Sequence, residues 1–185
     1  TVSPPSSPDR AHPMTDQFAA ARARGRRARS SLNADERSSG VDAAVAALLS
    51  LDELRSPSGS GRIALSRAIH DELDVAGAAP VLRGAGWSVW LPAVVEDPAG
   101  LAFRQWRSGD ELTRGAFGID EPPIDGRRSV SAADLAVVVA PCVAVDERGT
   151  RVGFGAGYYD RALAGPPPRP LLIVAAFDVQ VLNDP

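Results

Sequence analysis

The residues best equipped for chemistry form one run: Arg151-Val152-Gly153-Phe154-Gly155-Ala156-Gly157-Tyr158-Tyr159-Asp160-Arg161. Three glycines at alternate positions lead into the only two tyrosines of the chain, then an acid and a base. Glycine reaches positive φ without steric cost and lets backbone N–H groups close on an anion. Set ahead of Tyr158, Tyr159 and Leu163, these glycines read as a phosphate-cradling loop that opens a helix. The helix N-terminus adds partial positive charge at the same spot. Arg151 can grip a phosphate through paired N–H groups, and Asp160 offers Mg²⁺ a hard oxygen. The simpler reading is a glycine-rich turn with two core tyrosines. Neither common nucleotide fingerprint is present: no Lys-Ser/Thr follows the last glycine, and the spacing is not G-x-G-x-x-G.

A loop of this kind needs strands to carry it. Asp134-Leu135-Ala136-Val137-Val138-Val139-Ala140-Pro141 is a short valine-rich apolar run, the pattern of a fully buried parallel strand. Val143–Val145 and a turn at Glu147–Thr150 follow, so the order is strand, turn, glycine loop, helix. In open α/β sheets ligands sit at the carboxyl ends of strands. Residues 63–65, 89–95, 101–106 and 171–177 read as further strands, the last of them buried. Helices are expected over 17–29, from Asn33 through Leu54, and over 74–82. Asn33 with Glu36 three residues on forms a capping box, and Gly25 weakens the first helix. Thr1 to Asp16 has little to bury and reads as a disordered tail. This alternation predicts an α/β fold: a three-layer α/β/α sandwich, Rossmann-like, with a mostly parallel central sheet.

Composition narrows the chemistry. A chain of 185 residues with 44% hydrophobic content fits one domain. Net charge is −3, which implies no nucleic-acid surface. All 20 basic residues are arginine, so a lysine Schiff base and a P-loop lysine are both excluded within this chain. The lone cysteine, Cys142, excludes an internal disulfide and reads as a packed core thiol. His12 and His70 are far apart and lack partners at metal spacing, which argues against zinc. No apolar run approaches a membrane span, and no signal peptide is visible. The expectation is a cytoplasmic monomer with no membrane partner.

The pattern D-L-x-V-V-x-x-P-x-V-A-V-D-x-x-G-x-R-V-G-x-G-x-G-Y-Y-D-R resembles the signature of the 5-formyltetrahydrofolate cyclo-ligase family. Other segments agree in the same order. Leu32–Arg37 resembles its L-S-x-E-E-R, and His70–Asp74 its E-x-D segment. Gly86–Pro92 resembles its G-x-x-V-x-L-P, Gly118–Pro122 its G-I-x-E-P, and Ala176-Phe177 with Gln180 its A-F-x-x-Q. The resemblance spans roughly Gln17 to Pro185 and implies a single cyclo-ligase-like domain over 17–185. It further implies ATP- and Mg²⁺-dependent conversion of 5-formyltetrahydrofolate to 5,10-methenyltetrahydrofolate, with ADP and phosphate released. Arg151, Val152, Gly153, Phe154, Gly155, Ala156, Gly157, Tyr158 and Tyr159 are then the ATP-binding residues, with Arg151 and Tyr158 catalytic. Phe154, Gly155, Ala156, Gly157 and Tyr158 also face the folate. Asp160 is either the Mg²⁺ ligand or a first-turn helix acid. Glu72 either bonds the pterin or is a solvated acid beside Asp71 and Asp74. Glu121 is a structural loop acid.

Three positions depart from the family pattern. Where its first helix carries a basic pair for ATP, this chain has Gln17 and Ala21, and Arg22, Arg24 or Arg26 substitutes only with a register shift. Ser66 stands where an aromatic usually precedes the glutamate segment. A family segment P-x-E-x-x-D, with a second Mg²⁺ ligand, is expected after A-F-x-x-Q and is not present before Pro185. These departures keep open a homologue that binds nucleotide or folate without turnover.

Overall fold

The computed structural model describes residues 13–57, 59–95, 100–115, 118–124 and 129–183, with side chains described from residue 18 onward. Residues 1–12 of the expected tail lie outside the described residues. Helix α1 (Pro13–Ser30) begins four residues before the expected start at Gln17.

Six strands form the main sheet: β1 (Arg62–Ala64), β2 (Ser88–Val95), β3 (Gly100–Gln105), β6 (Ser129–Val130), β7 (Val137–Pro141) and β10 (Leu171–Ala175). Their order is β10-β7-β1-β2-β3-β6. The first four run parallel, and β3 and β6 add an antiparallel edge. Two hairpins stand outside this sheet: β4 (Thr113–Arg114) with β5 (Asp120–Glu121), and β8 (Ala144–Val145) with β9 (Arg151–Val152).

Strand register decides what each face buries, because successive side chains alternate between faces. Ile63 lies opposite Val89 and Val137. These three share a core with Leu48 of α2 (Ala34–Ser50) and Leu82 of α3 (Ala79–Gly84). Ala64 lies opposite Trp90 and Val138. Those residues face the other way, with Tyr159, Ala162 and Leu163 of α4 (Tyr158–Leu163) packed against them. The result is the expected three-layer α/β/α arrangement with a mostly parallel sheet.

Local signals acted largely as physics requires. At the start of α2, Glu36 N–H donates to Asn33 Oδ1 (2.9 Å) and Asn33 N–H to Glu36 Oε2 (2.8 Å), the two halves of a capping box. Helix α2 stops at Ser50, because Leu51 is extended, and residues 52–54 form a separate 3-10 turn. The segment expected as a helix from Asp74 begins as a 3-10 turn at Ala76–Ala78, and α3 starts only at Ala79. Pro80 occupies its first turn, where a missing N–H costs nothing.

The last strand differs from expectation. β10 is an edge strand rather than a buried one: it pairs with β7 on one side only, and Leu171 and Leu172 are 44% and 42% exposed. Among the described residues, no helix is long and apolar enough to cross a membrane.

Helix α1 packs by its Ala21, Gly25 and Arg29 face onto the β8–β9 hairpin and the 3-10 turn Asp178–Gln180. Gly25, expected only to weaken the helix, has a packing reason. A Cβ there would lie 2.1 Å from the Val143 carbonyl oxygen. The glycine permits the closest approach between α1 and the segment that leads into the glycine loop.

Candidate functional site

A cavity of about 390 Å³ opens at the carboxyl end of the parallel strands. Its walls come from the segment after β1 (Arg67, Ile69, His70, Glu72), from Pro92 and Val94 of β2, from Leu101 of β3, and from Pro141 at the end of β7. Ile119, Arg151, Phe154 and the residues from Ala156 to Asp160 complete it. This is where an open α/β sheet offers a crevice to ligands.

The glycine loop takes its shape from two residues in the left-handed region, Gly155 (φ 109°) and Gly157 (φ 70°). A side chain at either would be strained. Gly157 is also the N-cap of α4. That helix has only six residues, so the loop and its arginines carry more of any anion-binding role than the helix end does. Arg22 Nε donates to Gly153 O (2.8 Å), and its guanidinium lies beside Gly155. Arg24 and Arg26, the other two arginines considered for the missing basic pair, are exposed.

Of the expected site residues, Glu72, Arg151, Phe154, Ala156, Gly157, Tyr158, Tyr159 and Asp160 line the one cavity. Val152, Gly153 and Gly155 do not. The Val152 side chain packs inward against Ala21, Ala144 and Leu182, and its carbonyl accepts from Val143 N–H (2.8 Å). Val152 therefore anchors the loop to the core.

Arg151 is nearly buried and sits at the hinge of the site. Its NH1 donates to Pro141 O (3.3 Å), NH2 pairs with the exposed Asp160 carboxylate, and the guanidinium lies 5.6 Å from the Tyr159 ring centre. Burial pushes the Tyr159 phenol up, so it stays protonated at neutral pH. Arg161, 5.2 Å from the Tyr158 ring centre, donates to Ala156 O (2.8 Å) and braces the loop from outside.

Glu72 is not the solvated acid of the simpler reading. The residue is 7% exposed. Its Oε2 accepts from Ile69 N–H (2.9 Å), while Oε1 is buried and has no hydrogen-bond partner. Burial raises its pKa, against the pull of the Ile69 N–H and Arg29. His70, two residues before it, holds φ at 54°, a rare conformation for a non-glycine residue. Such backbone strain persists where the surroundings enforce it, often beside ligand sites.

Sequence reasoning missed Arg29. It is 3% exposed, pairs with Asp71 (2.8 Å), lies 3.9 Å from Glu72 Oε1, and sits 5.7 Å from the Phe154 ring centre. No local pattern distinguishes it from the other arginines of α1. Burial works upward on the Asp71 carboxyl, but the Arg29 bond and charge outweigh it and hold that pKa low.

One other acid, Glu121, and the thiol are structural. Glu121 is buried, pairs with Arg104 (3.0 Å), and accepts from Val94 N–H (3.3 Å). Burial pushes the Cys142 thiol up to about 12, as expected of a packed core residue. Among the described residues, no three His, Cys, Asp or Glu side chains cluster as a metal site. Among the described residues that line the cavity, Asp160 is the exposed carboxylate beside the glycine loop. That donor set suits Mg²⁺, which is usually held by one or two carboxylates together with substrate phosphates and water.

Comparison with known proteins agrees with this fold. The sequence model of the 5-formyltetrahydrofolate cyclo-ligase family matches residues 15–184. The 5-formyltetrahydrofolate cyclo-ligase of Escherichia coli K12 is 36% identical over 102 residues, 55% of this chain and 56% of that protein. The Mycolicibacterium smegmatis cyclo-ligase is 33% identical over 103 residues, 54% of this chain and 53% of that one. The chain thus spans about half the length of the curated relatives it matches. The NMR structure of Aquifex aeolicus 5,10-methenyltetrahydrofolate synthetase superposes with a TM-score of 0.73 at 30% identity, covering 89% of this chain and 79% of that one. A Mycoplasma pneumoniae 5,10-methenyltetrahydrofolate synthetase shares the fold, with a TM-score of 0.59 at 20% identity over 83% of this chain and 80% of that one. With a match that runs from the first helix to the residues after the last strand, the chain belongs to the 5-formyltetrahydrofolate cyclo-ligase family.

Proposed function

We propose that this chain converts 5-formyltetrahydrofolate to 5,10-methenyltetrahydrofolate at the expense of ATP, with Mg²⁺ as cofactor and ADP and phosphate as products. The observation that carries the reading is the buried, unpartnered Oε1 of Glu72 in the same cavity wall as the glycine loop. A buried acceptor without a partner costs free energy, and a ligand N–H relieves that cost. An aminopyrimidine-like ring edge supplies such donors.

In the proposed reaction the formyl oxygen attacks the γ-phosphorus of ATP, an O–P bond forms, and the bond to ADP breaks. The N10 lone pair then forms a bond to the formyl carbon, phosphate departs with its oxygen, and N10 loses its proton. The protein has little covalent work in phosphoryl transfer; its task is positioning and charge neutralisation. Glu72 fixes the pterin edge. Phe154, Ala156, Gly157 and Tyr158 face the folate and, with Tyr159 and the loop backbone at Gly153 and Gly155, frame the phosphates, while Val152 anchors the loop. Arg151 meets the transferring phosphoryl group by charge and Tyr158 by its phenol O–H. Arg22 adds a further cation at the loop. Asp160 is the residue that would hold Mg²⁺, which supplies phosphate charge neutralisation when bound. The Arg151–Asp160 ion pair keeps both groups satisfied until phosphate reaches one and the metal the other.

The test is to mix the protein with ATP, Mg²⁺ and 5-formyltetrahydrofolate and to follow the methenyl chromophore. ATP-dependent appearance of that chromophore, lost in Asp160→Ala, is the expected outcome. Binding of ATP or folate with no chromophore would instead favour a homologue that binds without turnover, the reading suggested by Ser66 in place of the usual aromatic.

A further inference from the structure

Arg29 is the least explained buried charge in the molecule. It does not line the cavity, yet it stands directly behind the wall that does. Its NH2 reaches Asp71 at 2.8 Å, while Nε and NH1 are buried without hydrogen-bond partners. NH1 is 3.9 Å from Glu72 Oε1, beyond hydrogen-bond distance but close in charge. The same guanidinium lies 5.7 Å from the Phe154 ring centre in the glycine loop. A buried guanidinium with two unmet donors is costly. One turn earlier on the same face of α1, Gly25 meets Val143 and brings the helix close to this wall.

We propose that Arg29 is a positioning residue: it holds Glu72 as a carboxylate with Oε1 presented to the cavity, and it ties that wall to the glycine loop through Phe154. The proposal rests on the folate-binding role of Glu72 given above. The physical case is geometric. Oε2 of Glu72 is fixed by Ile69 N–H, so the carboxylate cannot rotate away. Arg29 is too far to consume Oε1 as a hydrogen-bond partner, yet near enough to stabilise its charge. A shorter salt bridge would occupy the atom a ligand needs, and none at all would leave the upward push of burial opposed by less charge.

Among the described residues, the titratable groups around Glu72 come from several elements. Arg29 comes from α1. Asp71 and His70 come from its own segment, and Arg37 of α2 lies 3.9 Å from Asp71. Cys142 follows β7 and Tyr159 lies on α4. Arg67, Arg151 and Asp160 stand around the same cavity. Tyr159 and Cys142 stay neutral at physiological pH, and Arg151 is engaged by Asp160. Arg29 is therefore the cation with the most direct hold on Glu72.

The experiment follows the Glu72 carboxyl by ¹³C NMR across pH in the full chain, its resonance assigned by loss in Glu72→Gln. Arg29→Met should raise the titration midpoint by roughly one pH unit or more, as expected when a neighbouring opposite charge is removed. Arg29→Lys should leave it nearer the wild-type value. Asp71→Asn, at a partly exposed position, should lower it, because a like charge is lost and Arg29 turns to Glu72 alone. An unmoved midpoint in Arg29→Met, or an equal rise in Arg29→Lys, overturns the proposal. Where Arg29→Met does not fold, a midpoint that fails to fall in Asp71→Asn overturns it.

In turnover, Arg29→Met should raise KM for 5-formyltetrahydrofolate by about fivefold or more, and more than KM for ATP, while Arg29→Lys should stay nearer the wild-type value. A purely structural arginine would lower active-enzyme content and leave both constants alone. If the wild-type protein neither binds nor converts folate, the functional reading fails, while the titration still decides the role of Arg29.

Discussion

Glu72 joins two properties that pull against each other. It is buried, which favours the neutral acid, and its unpartnered Oε1 is most useful to a ligand N–H as part of a carboxylate. Its folded pKa lies above the ordinary value, so the charged form is lost as pH falls through that raised pKa. Folate affinity should therefore weaken on acidification sooner than an ordinary glutamate would allow, and it should not weaken as pH rises from neutral. A binding isotherm series across pH checks this. Glu72→Gln keeps the size and removes the charge. It should weaken folate binding by about 1–3 kcal/mol, the scale of a hydrogen bond to a charged group, and abolish the acid dependence. ATP binding, measured separately, should hold.

Residue-scale legibility was uneven for a physical reason. The glycine loop could be read because its spacing is local. Glu72 could be named but not placed, since nothing in His70–Asp74 says which of three acids turns inward. Arg29 was invisible, because its meaning depends on contacts across the fold.

At the scale of elements, α1 and α2 show how differently two helices of the same protein are specified. Helix α2 announces its start through Asn33 and Glu36, and both predicted bonds exist. Asn33→Ala should cost about 1 kcal/mol, read as a lower melting temperature with no change in KM. Helix α1 carries its information in what it touches. Gly25 looked like a weak point by propensity, yet its Cα faces the Val143 carbonyl so closely that any side chain forces the helix outward. By propensity alone, Gly25→Ala would stabilise the helix by about 1 kcal/mol. Here it should destabilise the fold and also raise KM for ATP, because Arg22 moves with the helix it belongs to. Denaturant unfolding and ATP titration on the same variant test both halves. The strand run 137–141 was legible because a parallel core strand is apolar on both faces. β10 is equally apolar, and only the sheet order shows that one of its sides is open.

For the whole molecule, the three-layer fold sets where ionic groups can be tolerated. Arg104 and Glu121 cross from β3 to β5 as a buried pair, and Glu121 also receives Val94 N–H. Removing one partner leaves the other charged and enclosed. Glu121→Ala should cost about 3–5 kcal/mol by denaturant unfolding, while Arg104→Leu combined with Glu121→Leu should recover much of that loss. The layer architecture was legible from the alternation of elements and the valine-rich strands. The antiparallel edge of β3 and β6 and the β8–β9 hairpin were less so, since short two-residue strands carry almost no periodicity.

The bond from Arg22 to Gly153 joins residues 131 positions apart. Loop closure of that span is slow and is repaid only when most of the chain is in place. The glycine loop therefore cannot mature as an independent hairpin. During folding it should acquire amide protection together with α1 and after the central strands, and pulse-labelled hydrogen exchange would show that order. Its occupant then reports on global rather than local unfolding, so saturating nucleotide should slow exchange throughout the sheet and not just at the glycines.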